Sequence, residues 1–174
     1  MNLYGYVGNN PAKYIDPFGL VTGGFITKTV YIPSKDLVRM KMSPGGAIDV
    51  KFKIRCTCKC TKGLWSPSIH AEVITIKYIP QRGDDVYQKG RPMPKSPEES
   101  LSHEKGHEKL WGMWYARLVA RAILMEMKIY PLKLSCEIEC KVFEFSMSLE
   151  AKAYHFFVHY GLYDTFWQFK TGNW

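Results

Sequence analysis

Residues 100–111 read SLSHEKGHEKLW, and His103, Glu104 and His107 within them have types and spacing that suit metal-assisted hydrolysis. On a helix, two histidines four apart lie about 40° apart around the axis and one turn along it. Both imidazoles can then reach one metal ion. Glu104 flanks that face, where its carboxylate can hold a water, take its proton and pass it to a leaving amine. Zn2+ suits such a pair, and it would polarise the scissile carbonyl and acidify the water. The competing expectation is a solvated polar face shared with Lys105, Glu108 and Lys109. Gly106 speaks for a packed face, because glycine in mid-helix costs about 1 kcal/mol relative to alanine.

The H-E-x-x-H pattern resembles the active-site helix of the zincin class of zinc metallopeptidases. A catalytic zinc takes a third protein ligand. The metzincin continuation with a third histidine is absent, since EKLWGMWYARL follows His107. The ligand must come from elsewhere, and SLEAKAYHFFVHYG offers Glu150, His155 and His159. Glu150 with Ala153 three residues later resembles the E-x-x-A pattern on the second helix of gluzincins, where the small residue lets two helices approach. That resemblance implies Glu150 as third ligand, with His155 the alternative. The two stand about 140° apart on a helix, so one ion does not easily take both. Tyr154, and His155 or His159 where it is not a ligand, are candidates to stabilise an oxyanion. Each of these histidines also reads as an ordinary surface or core residue, and His70 reads as structural.

Local patterning supplies the elements that must hold these residues. Four stretches alternate with period two, as half-buried strands do. They centre on Ile26–Ile32, Phe52–Cys60, Ile69–Ile79 and Leu132–Val142, with Ile74, Ile76 and Tyr78 on one face of the third. After the Pro80–Lys95 loop, Ser96 can cap a helix, Pro97 suits its first position and Glu99 completes a capping box. That helix is expected to run to about Ile129 and stop before Pro131. A second is expected over about Ser148–Tyr160, ending at Gly161. The sum is an α+β fold, a small antiparallel sheet packed with a long H-E-x-x-H helix and a second helix. The aromatic tail, Leu162–Trp174, is expected to pack back onto it.

Five cysteines lie on the second and fourth of these stretches. If both are strands paired antiparallel, one register sets Cys56 opposite Cys140 and Cys60 opposite Cys136, with Cys58 facing Ile138. The expectation is two cross-strand disulfides and a free Cys58, which implies an oxidising compartment. A structural zinc cluster ranks lower because C-x-C-x-C lacks the usual C-x2-C spacing. Reduced, buried thiols are the remaining alternative.

The first twenty residues, MNLYGYVGNNPAKYIDPFGL, contain Pro11, then Asp16-Pro17-Phe18-Gly19-Leu20. This P-x4-D-P-x-G-L signature resembles the end of the core shell of Rhs/YD-repeat polymorphic toxins. In that family the shell self-cleaves just after the leucine and releases a variable C-terminal toxin. The resemblance implies that Asp16 and Leu20 belong to a self-cleavage motif, that residues 1–20 end a core shell and that 21–174 are a zincin-like toxin domain. It further implies a cognate immunity protein, association with the shell before release, and delivery by secretion (type VI) or injection into a target cell, in interbacterial competition.

The totals bound the remaining choices. A chain of 174 residues with 46% apolar and 14% aromatic content can bury one good core. Its charge of +8 would suit an acidic partner or nucleic acid. The basic residues form no run and no nucleic-acid module, so nucleic acid is disfavoured. No apolar run approaches the ~20 residues that cross a bilayer, and no secretory signal is visible. The leading expectation is a zinc-dependent peptidase acting on a protein or peptide, in the periplasm if the cysteines are oxidised. A nuclease-type toxin with a basic surface, and a zinc-stabilised binding module without catalysis, are the alternatives.

Overall fold

The structure, a computed structural model, describes residues 21–88 and 94–160. Asp16 and Leu20, and the 161–174 tail, lie outside the described residues. The element order is β1 (Thr22–Ile32), α1 (Ser34–Arg39), β2 (Ala47–Thr61), β3 (Leu64–Pro80), a single 3-10 turn, α2 (Pro97–Glu126) and α3 (Lys133–Tyr160). The strands form one sheet in the order β1-β3-β2. An α+β fold is therefore present. Among the described residues, no helix is long and apolar enough to cross a membrane.

The sheet is mixed, not antiparallel throughout. β2 and β3 form a hairpin whose loop residues, Lys62 and Gly63, have φ of 52° and 78°. Two residues in the left-handed region make the primed turn that matches strand twist. β1 runs parallel to β3: Thr22 Oγ1 donates to the Ile69 carbonyl, and the Gln81 N–H donates to the Ile32 carbonyl ten residues on.

β3 is the central strand, and one face of it is buried throughout: Ile69, Ala71, Val73, Thr75, Lys77 and Ile79. This is the opposite face from the Ile74, Ile76 and Tyr78 set, which is half-buried. A lysine and a threonine break the apolar pattern of the buried side, so hydropathy alone selects the wrong one. On β2 the expected division holds as far as Cys58, with Lys51, Lys53, Arg55 and Thr57 exposed between half-buried or buried apolar positions, and fails at Cys60, which is exposed.

α2 begins as its sequence dictates. The Glu99 N–H donates to Ser96 Oγ at 3.2 Å, and the Glu99 carboxylate reaches back to the Lys95 N–H at 2.5 Å. It ends at Glu126, earlier than expected, because Tyr130 exchanges two backbone hydrogen bonds of 2.8 Å with Trp65. An extended residue captured at the start of β3 cannot continue a helix.

Leu132–Val142 is not a strand. It begins α3, whose buried stripe is Cys136, Cys140, Phe143, Met147, Ala151 and Val158, with helical spacings of three, four and seven residues. Leu132, Leu134, Ile138 and Val142, the other apolar members of the alternating pattern, are exposed. The helix also changes which cysteines meet. Cys56 pairs with Cys140, Cys58 pairs with Cys136, and Cys60 is the exposed free thiol. The Cys60–Cys136 pairing and the free Cys58 both fail for one reason. A strand rises about 3.3 Å per residue and a helix 1.5 Å. Four helical residues therefore match two strand residues, not four.

The chain gathers into two compact units. One contains Phe52–Val73 and Gly112–Tyr154, hence the cysteines, with Trp114, Tyr115, Leu118, Phe143 and Met147 among its buried residues. Glu144 and Glu126 there accept the N–H groups of Cys56 and Ile69, tying strand to helix independently of sulfur. The other contains Thr27–Lys51 and Ile74–Trp111, with Leu37, Ile48, Ile79 and Trp111 buried. Asp84 fastens α1 in this unit by accepting from the Ser34 hydroxyl and, at 2.7 Å, the Ser34 N–H. Burial pushes the Asp84 carboxyl up, but these hydrogen bonds outweigh it and leave it below its ordinary value.

Candidate metal centre

Helix α2 places Ser100, Glu104, His107 and Trp111 on one buried stripe, the spacing of an inward helical face. Glu104 is 4% and His107 3% exposed, whereas Lys105 and Lys109 are exposed. The pattern is therefore not a solvated polar face. His103 stands half-buried beside it, and the two imidazoles meet edge to face with ring centroids 4.7 Å apart. Their Nε2 atoms are 3.0 Å apart.

Two nitrogens at tetrahedral positions on one zinc would be about 3.3 Å apart, from Zn–N bonds of 2.0–2.1 Å. The observed separation falls within a few tenths of that, so the pair fits as half of a zinc site. The same atoms can otherwise share one proton in a histidine–histidine hydrogen bond. Among the described residues, no third Cys, His, Asp or Glu atom joins the two nitrogens in a cluster 4.8 Å across.

The candidates for that third position are placed differently. Glu150 is ion-paired with Arg121. In the E-x-x-A segment it is Ala151 that is buried, while Ala153 is exposed. His155 is half-buried and packs on Trp111, with ring centroids 5.9 Å apart, and Trp111 lies one turn beyond His107. Burial pushes the His155 imidazole below its ordinary value, against an upward pull from Asp49. Tyr154 is half-buried on α3, and the His159 side chain lies outside the described residues. His70 shares a 3.1 Å hydrogen bond with Thr22 on the neighbouring strand, consistent with a structural role.

Three residues that the motif did not announce, Ser100, Gly46 and Lys77, complete the surroundings. Ser100 donates to the Gly45 carbonyl at 2.8 Å and so pins the Ser43–Gly46 turn against α2. Gly46 has φ of +134°, and a Cβ there would sit 3.3 Å from Glu104 Oε1 and 3.5 Å from the Tyr78 carbonyl. Only glycine adopts that conformation readily, and only a missing side chain lets the turn lie this close to the carboxylate. The Pro44-Gly45-Gly46 run was the available sequence signal. Lys77, buried on the central strand, pairs with Glu108 and donates to Thr27 Oγ1 at 2.8 Å. Burial pushes its ammonium below the usual range, the Lys105 charge adds to this, and Glu104 opposes it. A buried lysine in a strand has no local sequence signal.

The cysteine sulfurs of the other unit form the second group of ligand-type atoms. Those of Cys58, Cys136 and Cys140 lie within 4.8 Å of one another. As disulfides they offer no thiolate, and they fit an oxidising compartment. Compared with known protein families, curated proteins and solved structures, the chain matches none.

Proposed function

We propose that residues 21–174 form a zinc-dependent hydrolase of the zincin type, cleaving peptide bonds as the C-terminal toxin of an Rhs-type effector. The observation that carries the reading is the approach of His103 and His107 Nε2 atoms to 3.0 Å beside a buried Glu104. A zinc ion, when bound, supplies Lewis acidity to the carbonyl under attack and to the attacking water. Glu104 is the proton carrier. Its carboxylate takes a proton from water and returns it to the leaving amine. Ser100 and Gly46 fix the turn beside Glu104, and burial of this face limits competing bulk water. His155 suits the third ligand position better than Glu150, because it shares Trp111 with the α2 stripe while Arg121 engages Glu150.

Metal analysis of the oxidised, purified chain tests the first step. One zinc per chain, lost in His103→Ala, His107→Ala and His155→Ala but retained in Glu150→Ala, is expected. Glu104→Gln is expected to keep the metal and lose toxicity and peptidase activity. Full toxicity in Glu104→Gln would refute the mechanism, and degradation of DNA or RNA by the wild type would replace it with a nuclease. The P-x4-D-P-x-G-L resemblance and the disulfides support delivery into an oxidising compartment, where a cognate immunity protein would protect the producer.

A further inference from the structure

The two disulfides lie side by side. Cys58 Sγ and Cys140 Sγ, which are not bonded to each other, are 3.8 Å apart. Cys56 Sγ is bonded to Cys140 Sγ, and Cys58 Sγ to Cys136 Sγ. The sulfurs of Cys58, Cys136 and Cys140 lie within 4.8 Å of one another, and Cys56 Sγ adjoins them through its bond to Cys140, so a C-x-C pair on β2 meets a C-x3-C pair on α3. Cys56, Cys136 and Cys140 are buried and Cys58 is half-buried.

Zinc held by four thiolates has Zn–S bonds of about 2.3 Å, which sets sulfurs on a tetrahedral edge about 3.8 Å apart. The unbonded pair already has that spacing. With both S–S bonds broken, rotation about the cysteine side-chain bonds would let the bonded pairs open and Cys56 Sγ swing in beside the other three. The strand–helix seam has other fastenings, since Glu144 and Glu126 hold backbone N–H groups of Cys56 and Ile69. Cys60, two strand residues further along and exposed, lies beyond the cluster. The C-x2-C spacing of zinc knuckles serves ligands on one turn. Ligands from a strand and a helix obey different spacings, i and i+2 on the one and i and i+4 on the other.

We propose that Cys56, Cys58, Cys136 and Cys140 are a redox-alternating site, holding one zinc ion as four thiolates in the reduced chain and closing as two disulfides when oxidised. Reduction of each disulfide takes two electrons and two protons. Two thiols supply both as they become a disulfide, whereas a phosphine supplies the electrons and water supplies the protons and the oxygen of the phosphine oxide. The four thiols then release four protons as they bind Zn2+. In the reverse direction, a disulfide-forming oxidant removes four electrons, the S–Zn bonds are replaced by two S–S bonds, and the ion leaves. A reducing compartment favours the zinc form and an oxidising one the disulfide form, so this part of the fold is cross-linked in both. The proposal is independent of the peptidase reading, which uses other residues in the other unit.

The test uses the full chain carrying His103→Ala and His107→Ala, which removes the other candidate site. The chain is reduced anaerobically with a water-soluble phosphine, which becomes the phosphine oxide, and titrated with Zn2+ and separately with Co2+. The expected result is one equivalent bound, a cobalt spectrum with intense sulfur-to-metal charge transfer and tetrahedral d–d bands, and no change in either on adding Cys60→Ser. Cys58→Ser and Cys136→Ser are expected to weaken zinc at least about tenfold. Oxidation with a diazenedicarboxamide, which becomes the hydrazine, is expected to release the equivalent of zinc, and the acid-denatured, metal-free chain is then about 4 Da lighter than the reduced metal-free chain. Cobalt reports its ligands directly in the chain with all five cysteines, so the result does not hang on whether a variant folds. No binding by the reduced chain, or a cobalt spectrum without sulfur bands, would overturn the proposal. Either result would leave zinc lost on His103→Ala, and with it the peptidase reading, untouched.

Discussion

Replacing Cys58 and Cys136 together with alanine removes one of two bridges that span 78 and 84 residues of sequence. In the chain-entropy account, cross-linking a loop of 84 residues restricts the unfolded chain by about 4.5 kcal/mol at 25 °C. Two independent bridges of this size would contribute about 9 kcal/mol. These bridges are nested, however. Once Cys56–Cys140 is closed, Cys58 lies two residues from one anchor and Cys136 four from the other. The second bridge then closes a ring of only about eight residues, worth about 2.5 kcal/mol. Either bridge shortens the loop that the other closes, so the Cys56→Ala/Cys140→Ala pair should cost about the same. Losing all four cysteines should cost about 7 kcal/mol, comparable to the whole stability of many domains. Urea unfolding in a Cys60→Ser background with chelator present, which suppresses exchange and metal, measures each cost through the midpoint at unchanged m-value. A single-pair cost near 4.5 kcal/mol would show the bridges acting independently and refute the nesting argument. A cost near zero would refute the constraint itself.

Gly46→Ala is expected to destabilise by about 1–3 kcal/mol through its left-handed φ and the approach of its new Cβ to Glu104. Gly24→Ala, at an ordinary φ with open space around it, should change stability by no more than about 1 kcal/mol; equal thermal shifts for the two would contradict this. Glu108→Gln leaves the Lys77 ammonium buried without its ion-pair partner and should cost about 3 kcal/mol, whereas Lys77→Met with Glu108→Leu should recover most of the loss. A double variant as unstable as the single one in urea would show that pairing is not what Lys77 needs. His155 has its native pKa depressed by burial, so the unfolded chain binds its proton more readily. Stability contributed by the neutral form is present above the ordinary value of 6.5 and is lost as pH falls from there through the depressed native value. His155→Phe should flatten that part of the pH–stability curve, and an unchanged slope would remove His155 from the account.

The beginning of α2 was legible because everything it needs is local. Ser96, Pro97 and Glu99 satisfy the first orphan N–H groups whatever the rest of the chain does. The alternation of lysine and arginine with apolar residues likewise marked β2, and a four-residue spacing on any helix brings His103 and His107 together. The sequence by itself thus determined a helix start, a strand and the pairing of two imidazoles. Leu132–Val142 shows where local pattern stops. Its period of two is real, yet Cys136 and Cys140 are also four apart, and the helix is the arrangement that buries both while leaving Leu134, Ile138 and Val142 outside. Which cysteine meets which then follows from matching a 1.5 Å rise to a 3.3 Å rise, a comparison between two elements that neither contains alone. The same holds for Lys77 on the buried face of β3 and for Gly46 against Glu104. Each position is decided by what another segment brings to it, because burial and close approach are properties of pairs of elements, whereas caps and periodicity belong to one.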